Sequence, residues 1–248
     1  MNILELSRAA STKLVSQSGH SSGTGFLIGD QYVVTCFHVV ASLVIQGGNV
    51  NWTLFPDLQV TLSTGETISG TVVSIPSSAN PSPIHQDFAV VKLMVKPTVV
   101  PARLEFATGE DHLTVGDEVV FSGFPLATPG MVTHRGMVSG WDDLRSLIFV
   151  QAAINKGNSG GALLNVNGRV AGIISMREGG ISQGLQQLTA YIDQTAQHGS
   201  VQLMGVDPLQ ATKAIVQTLD QYISTGIGYA RAIRFADSYL ATNPNILG

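Results

Sequence analysis

The decisive stretch of this sequence reads Lys156-Gly157-Asn158-Ser159-Gly160-Gly161 and runs on into Ala162-Leu163-Leu164. Three glycines flank one serine, and an apolar run typical of a strand follows directly. Glycine adopts backbone conformations that other residues avoid, so this pattern predicts a sharp turn that holds the hydroxyl clear of the core. A hydroxyl presented in this way is a candidate nucleophile.

The same turn would leave backbone N–H groups beside the serine. Such donors stabilise the negatively charged oxygen that forms when a nucleophile attacks a carbonyl. We expect the N–H groups of Gly157 and Ser159 to serve this purpose. The alternative is an ordinary glycine-rich loop that happens to contain a serine, because glycine and serine are common in loops. A base and an acid elsewhere in the chain would decide between the two.

The overall composition favours many short strands. The chain has 248 residues, of which 44% are hydrophobic and only 12% are charged, and it contains 27 glycines. This balance suits strands and turns better than long charged helices. The length fits one large all-β domain or two small ones. The net charge of -4 offers no basic surface for nucleic acid, so we predict no nucleic-acid partner.

The start of the sequence does not have the pattern of a secretory signal, since Glu5 interrupts its first apolar residues and no long apolar run follows. No stretch approaches the roughly 18 apolar residues of a membrane span. We therefore predict a cytoplasmic protein without membrane contact. Cys36 is the single cysteine, which we interpret as a small core side chain. It excludes an internal disulfide and a cysteine-rich zinc site, and we predict neither metal nor cofactor.

The first half of the chain is predicted to be rich in strands after a short helix. Residues 2–15 show the spacing of an amphipathic helix. A hairpin is predicted from Gly23 to Cys36, and its second strand runs into His38. Three further strands and the apolar run after Asp87 complete this half: Trp52 to Phe55, Val60 to Leu62, Ile68 to Ile75 and Phe88 to Leu93.

His38 and Asp87 are the candidate base and acid. His38 closes a hairpin at the start of a loop, where functional groups are displayed, although a histidine in an apolar segment is commonly a core or surface residue. Asp87 lies between a proline-rich loop and an apolar strand, so its carboxylate needs a partner such as histidine. The alternative for Asp87 is a cap at the start of the strand, with His85 and Asp87 as a chance pair on the loop.

The second half repeats the strand pattern after a connector at residues 96–101, which contains two prolines. Its predicted strands are Glu118 to Phe121, Val132 to Ser139, Leu147 to Ala152, Ala162 to Leu164, Arg169 to Ser175 and Gly226 to Ala230. Two successive all-β halves, each with about six short strands, predict a pair of barrels.

Residues 178–225 interrupt the second half. Helical periodicity extends from Gly184 to Gln197 and from Pro208 to Tyr222. We interpret these segments as a helical insertion into the second barrel, and a short helix at 235–241 is predicted to close the chain. The insertion is either a solvated hairpin without consequence or a lid or docking surface for a regulatory partner beside the cleft.

The order His38, Asp87, Ser159 is that of chymotrypsin-type proteases. The local sequences resemble the HtrA/Deg branch of the trypsin-like serine proteases, in VTCFHVV at 34–40, DFAVVK at 87–92 and AAINKGNSGGAL at 152–163. Weaker similarity is found in GFP at 123–125, VTHRGMVS at 132–139 and GIGYA at 226–230. Apart from the insertion, the resemblance covers about residues 23–240.

This resemblance implies an all-β, chymotrypsin-like double barrel in one protease domain over residues 1–248, with barrels at about 17–96 and 113–240. It implies a serine endopeptidase in which His38 is the general base and later the acid, Asp87 orients its ring, and Ser159 is acylated. The N–H groups of Gly157 and Ser159 would bind the oxyanion. The alternative on the same fold is a catalytically silent module that binds peptides.

The resemblance also assigns substrate-binding residues. Ala153 corresponds to the floor of the pocket for the side chain before the cleaved bond, and a floor without charge favours a small or medium aliphatic residue there. Ser175 corresponds to a serine beneath the buried aspartate, and the backbone of Ser175, Met176 and Arg177 would pair with the substrate as an added strand. Gly228, in the final strand, would line the same site.

The sequence also departs from the family pattern. HtrA proteins carry a leader before the protease and a PDZ domain after it, and we expect neither here, so partner recognition and trimer formation are not carried over. Asn158 stands where zymogen-activated relatives have an aspartate that pairs with a new N-terminus. Activation by N-terminal cleavage is therefore not implied.

Overall fold

The computed structural model describes residues 1–46, 49–75, 86–108, 111, 113–126, 128–177, 180–197, 199, 202–222 and 226–233. The helix predicted at 235–241 and the loop residue His85 lie outside these ranges.

The N-terminal half forms a closed six-stranded barrel with a small two-stranded sheet beside it. Its elements are, in chain order, α1 Ile3–Ala10, β1 Ser11–Ser16, β2 Ser21–Leu27, β3 Tyr32–Thr35, α2 Phe37–Val40, β4 Ala41–Gln46, β5 Asn49–Leu54, β6 Leu58–Thr61, β7 Thr67–Ser74 and β8 Ala89–Leu93. The barrel order is β1-β2-β3-β8-β7-β6, while β4 and β5 pair only with each other among the described strands.

The C-terminal half closes a second barrel of six strands. Its elements are β9 Glu118–Gly123, β10 Val132–Asp142, β11 Leu147–Gln151, β12 Ala162–Leu164, β13 Val170–Arg177, α3 Gly180–Ala196, α4 Pro208–Tyr222 and β14 Ile227–Ala232. The barrel order is β10-β11-β14-β13-β12-β9. The predicted pair of six-stranded barrels is therefore confirmed.

The N-terminal segment differs from the prediction of one helix over residues 2–15. The helix ends at Ala10, and residues from Ser11 onward form β1, so the first barrel begins before the predicted residue 17. Leu14 is fully buried and lies opposite Gly23 of β2 and Val60 of β6. Pairing with two distant strands satisfies the backbone of this segment, and such tertiary pairing overrides a local helical pattern.

Helix α1 belongs to the N-terminal half of the sequence but packs on the second barrel. Asn2 and Glu5 form a reciprocal capping box at its start. The buried hydroxyls of Ser7 and Ser122, the latter in β9, are 2.8 Å apart. Helix α1 thus joins the two barrels.

A shared apolar core also links the barrels. Phe26 and Val34 of the first barrel belong to the same buried cluster as Leu164, Val170 and Ile173 of the second. Burial of such side chains stabilises each by about 1.5–3 kcal/mol relative to exposure. The cleft between the barrels is therefore held by continuous packing.

Helices α3 and α4 lie between β13 and β14 in the chain and pack against each other. Ile192 and Val216 are buried, and the Lys213 ammonium lies 2.6 Å from the Asp193 carboxylate. Exposed apolar side chains lie on both helices: Leu188, Tyr191, Ile215 and Leu219. Within the ranges given above, no helix has both the length and the apolar character needed to cross a membrane.

Candidate active site

The pairing of β3 with β8 brings His38 and Asp87 together. In this antiparallel register Thr35 lies opposite Ala89, so the residues after β3 and those before β8 meet at one end of the barrel. His38 lies in the single turn α2, which is separated from the end of β3 by one residue, and Asp87 lies two residues before β8. Two distant segments therefore converge on the cleft.

The Asp87 carboxylate orients the His38 ring through its Nδ1 atom. His38 Nδ1 lies 2.9 Å and 3.0 Å from the two carboxylate oxygens of Asp87, and the backbone N–H of His38 donates to Oδ1 at 3.2 Å. The hydroxyl of Ser175 donates to the other oxygen, Oδ2. The Asp87 side chain is 6% exposed and that of His38 is 39% exposed. The ring is thus oriented by a buried acid and open to the cleft.

The backbone of Asp87 is in the left-handed region, with φ of 46°. Few residues other than glycine adopt this conformation, although aspartate tolerates it better than most. Strained backbone of this kind clusters at functional sites, where the surrounding structure holds it in place. The local geometry therefore supports a functional role for Asp87 over that of a simple strand cap.

The two groups shift each other's pKa values. Burial alone would lower the pKa of His38, but the charge of Asp87 and its hydrogen bonds outweigh burial, and the net pKa is raised. Burial alone would raise the pKa of Asp87, yet the charge and hydrogen bonds of His38, joined by the Ser175 hydroxyl, lower it. The pair therefore favours a charged imidazolium beside an ionised carboxylate.

Ser159 lies in a tight turn between β11 and β12. Gly157 and Gly160 have φ of 98° and 92°, values that favour glycine. Gly160 donates to Ile174 of β13 at 2.7 Å, and Thr24 of the first barrel donates to the carbonyl of Ser159 at 2.8 Å. The turn is therefore anchored to both barrels.

The backbone N–H groups of Gly157 and Ser159 are the predicted oxyanion donors. Neither donates to any acceptor in the part of the chain that the structure describes. Buried backbone N–H groups almost always have a partner, so two free donors beside a serine hydroxyl are unusual. They are available to an oxygen of a bound substrate.

The Ser159 hydroxyl does not contact the base in this structure. Its Oγ donates to the backbone carbonyl of Ser175 at 3.0 Å, and no hydrogen bond between Ser159 and His38 is found among the described residues. Catalytic hydrogen bonds are often absent or long before a substrate binds. The three predicted residues are thus gathered around Ser175, with the serine turned toward the carbonyl.

The predicted strand edge for the substrate lies in β13. Ile174 pairs with Ala230, and Met176 with Tyr229, so a register shift places Ser175 at a bulge. Residues 175–177 have β14 on one side, while the described part of β12 pairs no further along β13 than Ile173. The other edge of Ser175, Met176 and Arg177 therefore has no neighbouring strand among the described residues.

Two of the residues predicted to bind the substrate, Arg177 and Gly228, pair with each other, and Gly228 also contacts the residue that follows Ala153. Ala153 is exposed, and the next residue, Ile154, is 2% exposed. A Cβ at Gly228 would lie only 2.5 Å from Ile154 Cδ1, so the two residues are in close contact. Sequence reasoning missed Ile154, although its apolar side chain directly follows the predicted floor.

This site is poorly suited to bind a metal ion. Cys36, His38 and Asp87 are the only group within the described ranges whose ligand atoms lie close enough, all within 4.8 Å. Burial, helped by the charge of Asp87, raises the pKa of the Cys36 thiol well above its usual range. Metals bind the thiolate. The thiol instead donates to the Ile174 carbonyl at 3.2 Å.

The family comparison agrees with this geometry. The sequence profile described as "Trypsin-like peptidase domain" matches residues 23–173. The chain belongs to the trypsin-like peptidase family. The match spans His38, Asp87 and Ser159, whose individual roles in this chain stay predictions.

Known relatives and structures place the domain near the HtrA proteases. A probable periplasmic serine endoprotease DegP-like of Chlamydia pneumoniae is 34% identical over 219 residues, which is 80% of this chain and 40% of the relative. The serine endoprotease of Yersinia pestis has a TM-score of 0.61 at 20% identity, over 97% of this chain and 64% of that one. The HtrA-type protease AlgW with tripeptide has a TM-score of 0.60 at 21% identity, over 97% and 62%.

These findings confirm the predicted resemblance and fold. The domain belongs to the trypsin-like peptidase family, it is similar in sequence to DegP-like and HtrA proteases, and the structural neighbours share its double barrel. The chain spans about two fifths of the length of the Chlamydia relative, since 40% of the latter is covered.

The prediction of a cytoplasmic location is wrong. Relatives from Chlamydia pneumoniae and Brucella suis are named periplasmic serine endoproteases. The prediction rested on the pattern of the first residues and on the lack of a long apolar stretch, and neither determines the compartment.

Proposed function

We propose that this domain hydrolyses peptide bonds with His38, Asp87 and Ser159. Ser159 Oγ attacks the carbonyl carbon and its proton passes to His38 Nε2, while the N–H groups of Gly157 and Ser159 bind the oxyanion. The C–N bond then breaks as His38 protonates the departing amine. Water, deprotonated by His38, attacks the ester carbonyl, and the carboxylic acid leaves as Ser159 regains its proton.

One observation carries this proposal. Two backbone N–H groups without an acceptor among the described residues flank the Ser159 hydroxyl, and Ser175 links this hydroxyl to the buried acid that orients His38. A module that only binds peptides has no use for a charged pair that costs free energy to bury. The arrangement therefore favours the enzyme over the silent binding module.

The substrate itself would free Ser159 for catalysis. An extended peptide added to the open edge of β13 would direct a backbone N–H at the Ser175 carbonyl, which now accepts from Ser159 at 3.0 Å. Losing this acceptor, the hydroxyl would turn to His38 Nε2. Binding of the peptide backbone would then be coupled to formation of the nucleophile.

We predict cleavage after small or medium aliphatic residues such as Val, Ala or Leu. Neither Ala153 nor Ile154 carries a charge, and Ile154 against Gly228 leaves little room for a long side chain. One methylene changes such selectivity by about 1–3 kcal/mol, so the preference is graded. Mass spectrometry of a digested peptide library measures it. A library cut mainly after Arg or Lys would refute the assignment of this pocket.

The activity should fall at acidic pH. His38 must be neutral to accept the proton, and its raised pKa means that it stays charged to a higher pH than an ordinary histidine. We expect kcat/KM to rise with pH through a midpoint above about 6.5, the ordinary value. A pH profile with a peptide substrate measures this midpoint, and full activity below pH 6 would contradict the account.

The names of the relatives bear on the location and substrates of this domain. The names of the relatives support a periplasmic or extracellular site of action, with proteins or peptides as substrates. The predicted regulatory partner at helices α3 and α4 stays a prediction, supported by the exposed Leu188, Tyr191, Ile215 and Leu219.

A further inference from the structure

A cavity of about 190 Å³ lies between the first barrel and the loop after β9. Its walls are Lys13 of β1 on one side and residues 124–126 and 128–130 on the other. Sites for whole small molecules usually measure about 300–1,000 Å³. This cavity is smaller, so it suits one amino-acid side chain better than a cofactor. We call it the Lys13 pocket.

The Lys13 pocket combines one cationic side chain with walls of mixed polarity. No hydrogen bond or ion pair of the Lys13 ammonium is found within the described ranges. Phe124, Pro125 and Leu126 supply apolar surface, and the Pro125 carbonyl already accepts the backbone N–H of Thr128 at 3.1 Å. The group that complements an unpaired ammonium is a carboxylate.

The pocket directly adjoins the turn at residues 156–161, which contains the expected oxyanion donors and which we call the oxyanion turn. The N–H of Leu126 donates to the Lys156 carbonyl at 2.9 Å, and a Cβ at Gly157 would lie 2.2 Å from the Phe124 carbonyl oxygen. Thr24, which lies opposite Lys13 in the β1–β2 pair, donates from its hydroxyl to the Gly157 carbonyl at 2.6 Å. The walls of the pocket therefore contact one of the two expected oxyanion donors.

The direction of the bound peptide follows from what flanks this turn. Strand β13 contacts its Ser159 to Gly161 end, through bonds from Gly160 to Ile174 and from Ile174 to Gly161. The Lys13 pocket adjoins the opposite end, at 156–157. The segment before the cleaved bond, which we call the acyl part, is expected to run along β13. The segment after the cleaved bond, the departing part, would then leave past the Lys13 pocket.

We propose that the Lys13 pocket binds an acidic side chain of the substrate, in the segment that departs after cleavage. This inference rests on the proposed endopeptidase activity. Side chains of an extended peptide alternate between two faces. A carboxylate should therefore be favoured at one position within the first few residues after the cleaved bond, and not at its neighbours.

The test uses quenched fluorescent peptides that are identical before the cleaved bond. After the cleaved bond they carry Glu, Gln or Lys at one position at a time. At one position we expect kcat/KM to be about fivefold or more higher for Glu than for Gln, as a partly exposed ion pair allows. Lys13→Met should abolish this preference and Lys13→Glu should reverse it toward Lys. Lys92→Met, in β8 beside Tyr32, should keep it.

Two controls separate this inference from the proposed activity. Turnover of a simple ester, which has no departing peptide, by the wild-type protein measures the proposed activity without engaging this pocket. If the peptides are not cleaved, calorimetry with Ser159→Ala measures the same Glu-to-Gln ratio as an affinity. Equal values for Glu and Gln at every position, or a preference that survives Lys13→Met, would overturn the proposal whether or not the domain is a protease.

Discussion

Replacing Ser159 with alanine is expected to lower kcat for a peptide substrate by about six orders of magnitude, which corresponds to about 8 kcal/mol of transition-state stabilisation. The variant loses the atom that forms the acyl-enzyme. His38→Ala should lose nearly as much, because the members of such a unit do not act additively. Steady-state kinetics with enzyme concentrations matched by absorbance measure both losses.

The matched control is Ser139→Ala. Its hydroxyl also donates to a backbone carbonyl, that of Phe149 at 3.2 Å, but it lies in β10 rather than in the oxyanion turn. Both serine variants should unfold within about 0.5 kcal/mol of the wild type, as is usual away from the core. Substantial hydrolysis by Ser159→Ala would exclude Ser159 as the nucleophile.

Gly160→Ala should be the most destabilising single substitution near the site. A Cβ at Gly160 would lie 1.9 Å from the Thr24 carbonyl oxygen, 2.3 Å from Thr35 Oγ1 and 3.0 Å from the Cys36 N–H nitrogen. These contacts belong to the first barrel, so the two barrels would have to separate locally. We expect a loss of more than about 4 kcal/mol in the free energy of unfolding, or no folded protein.

Gly116→Ala serves as a control that separates the steric clash at position 160 from the cost of a left-handed backbone. Gly116 has φ of 99°, close to the 92° of Gly160, but a Cβ there meets nothing within 4 Å. The left-handed conformation alone costs an alanine about 1–2 kcal/mol. Urea denaturation of both variants measures the difference. Equal stabilities would show that Gly160 is not wedged between the barrels.

Much of the fold could be predicted because its signals are local. The turn around Ser159, the hairpin that ends at His38 and the apolar run after Asp87 each have a short-range pattern, and their order along the chain points to paired barrels. The segment from Ser11 to Ser16 was predicted wrongly because its pairing with β2 and β6 depends on distant strands.

Details of the site escape sequence reasoning for a similar reason. The rotamer that turns Ser159 toward the Ser175 carbonyl depends on a bulge in β13, and no local pattern reports it. The contact of Ile154 with Gly228 joins residues far apart in the chain. The Lys13 pocket is built from two segments that meet only in the folded protein.

The central claim is that Ser159 is a nucleophile activated by His38, and labelling with a fluorophosphonate tests it most directly. We expect one covalent adduct in the intact mass, located on Ser159 by peptide mapping, none in Ser159→Ala and far slower labelling of His38→Ala. A folded wild-type protein that takes up no label between pH 6 and 9, or takes it up on another residue, would contradict the claim.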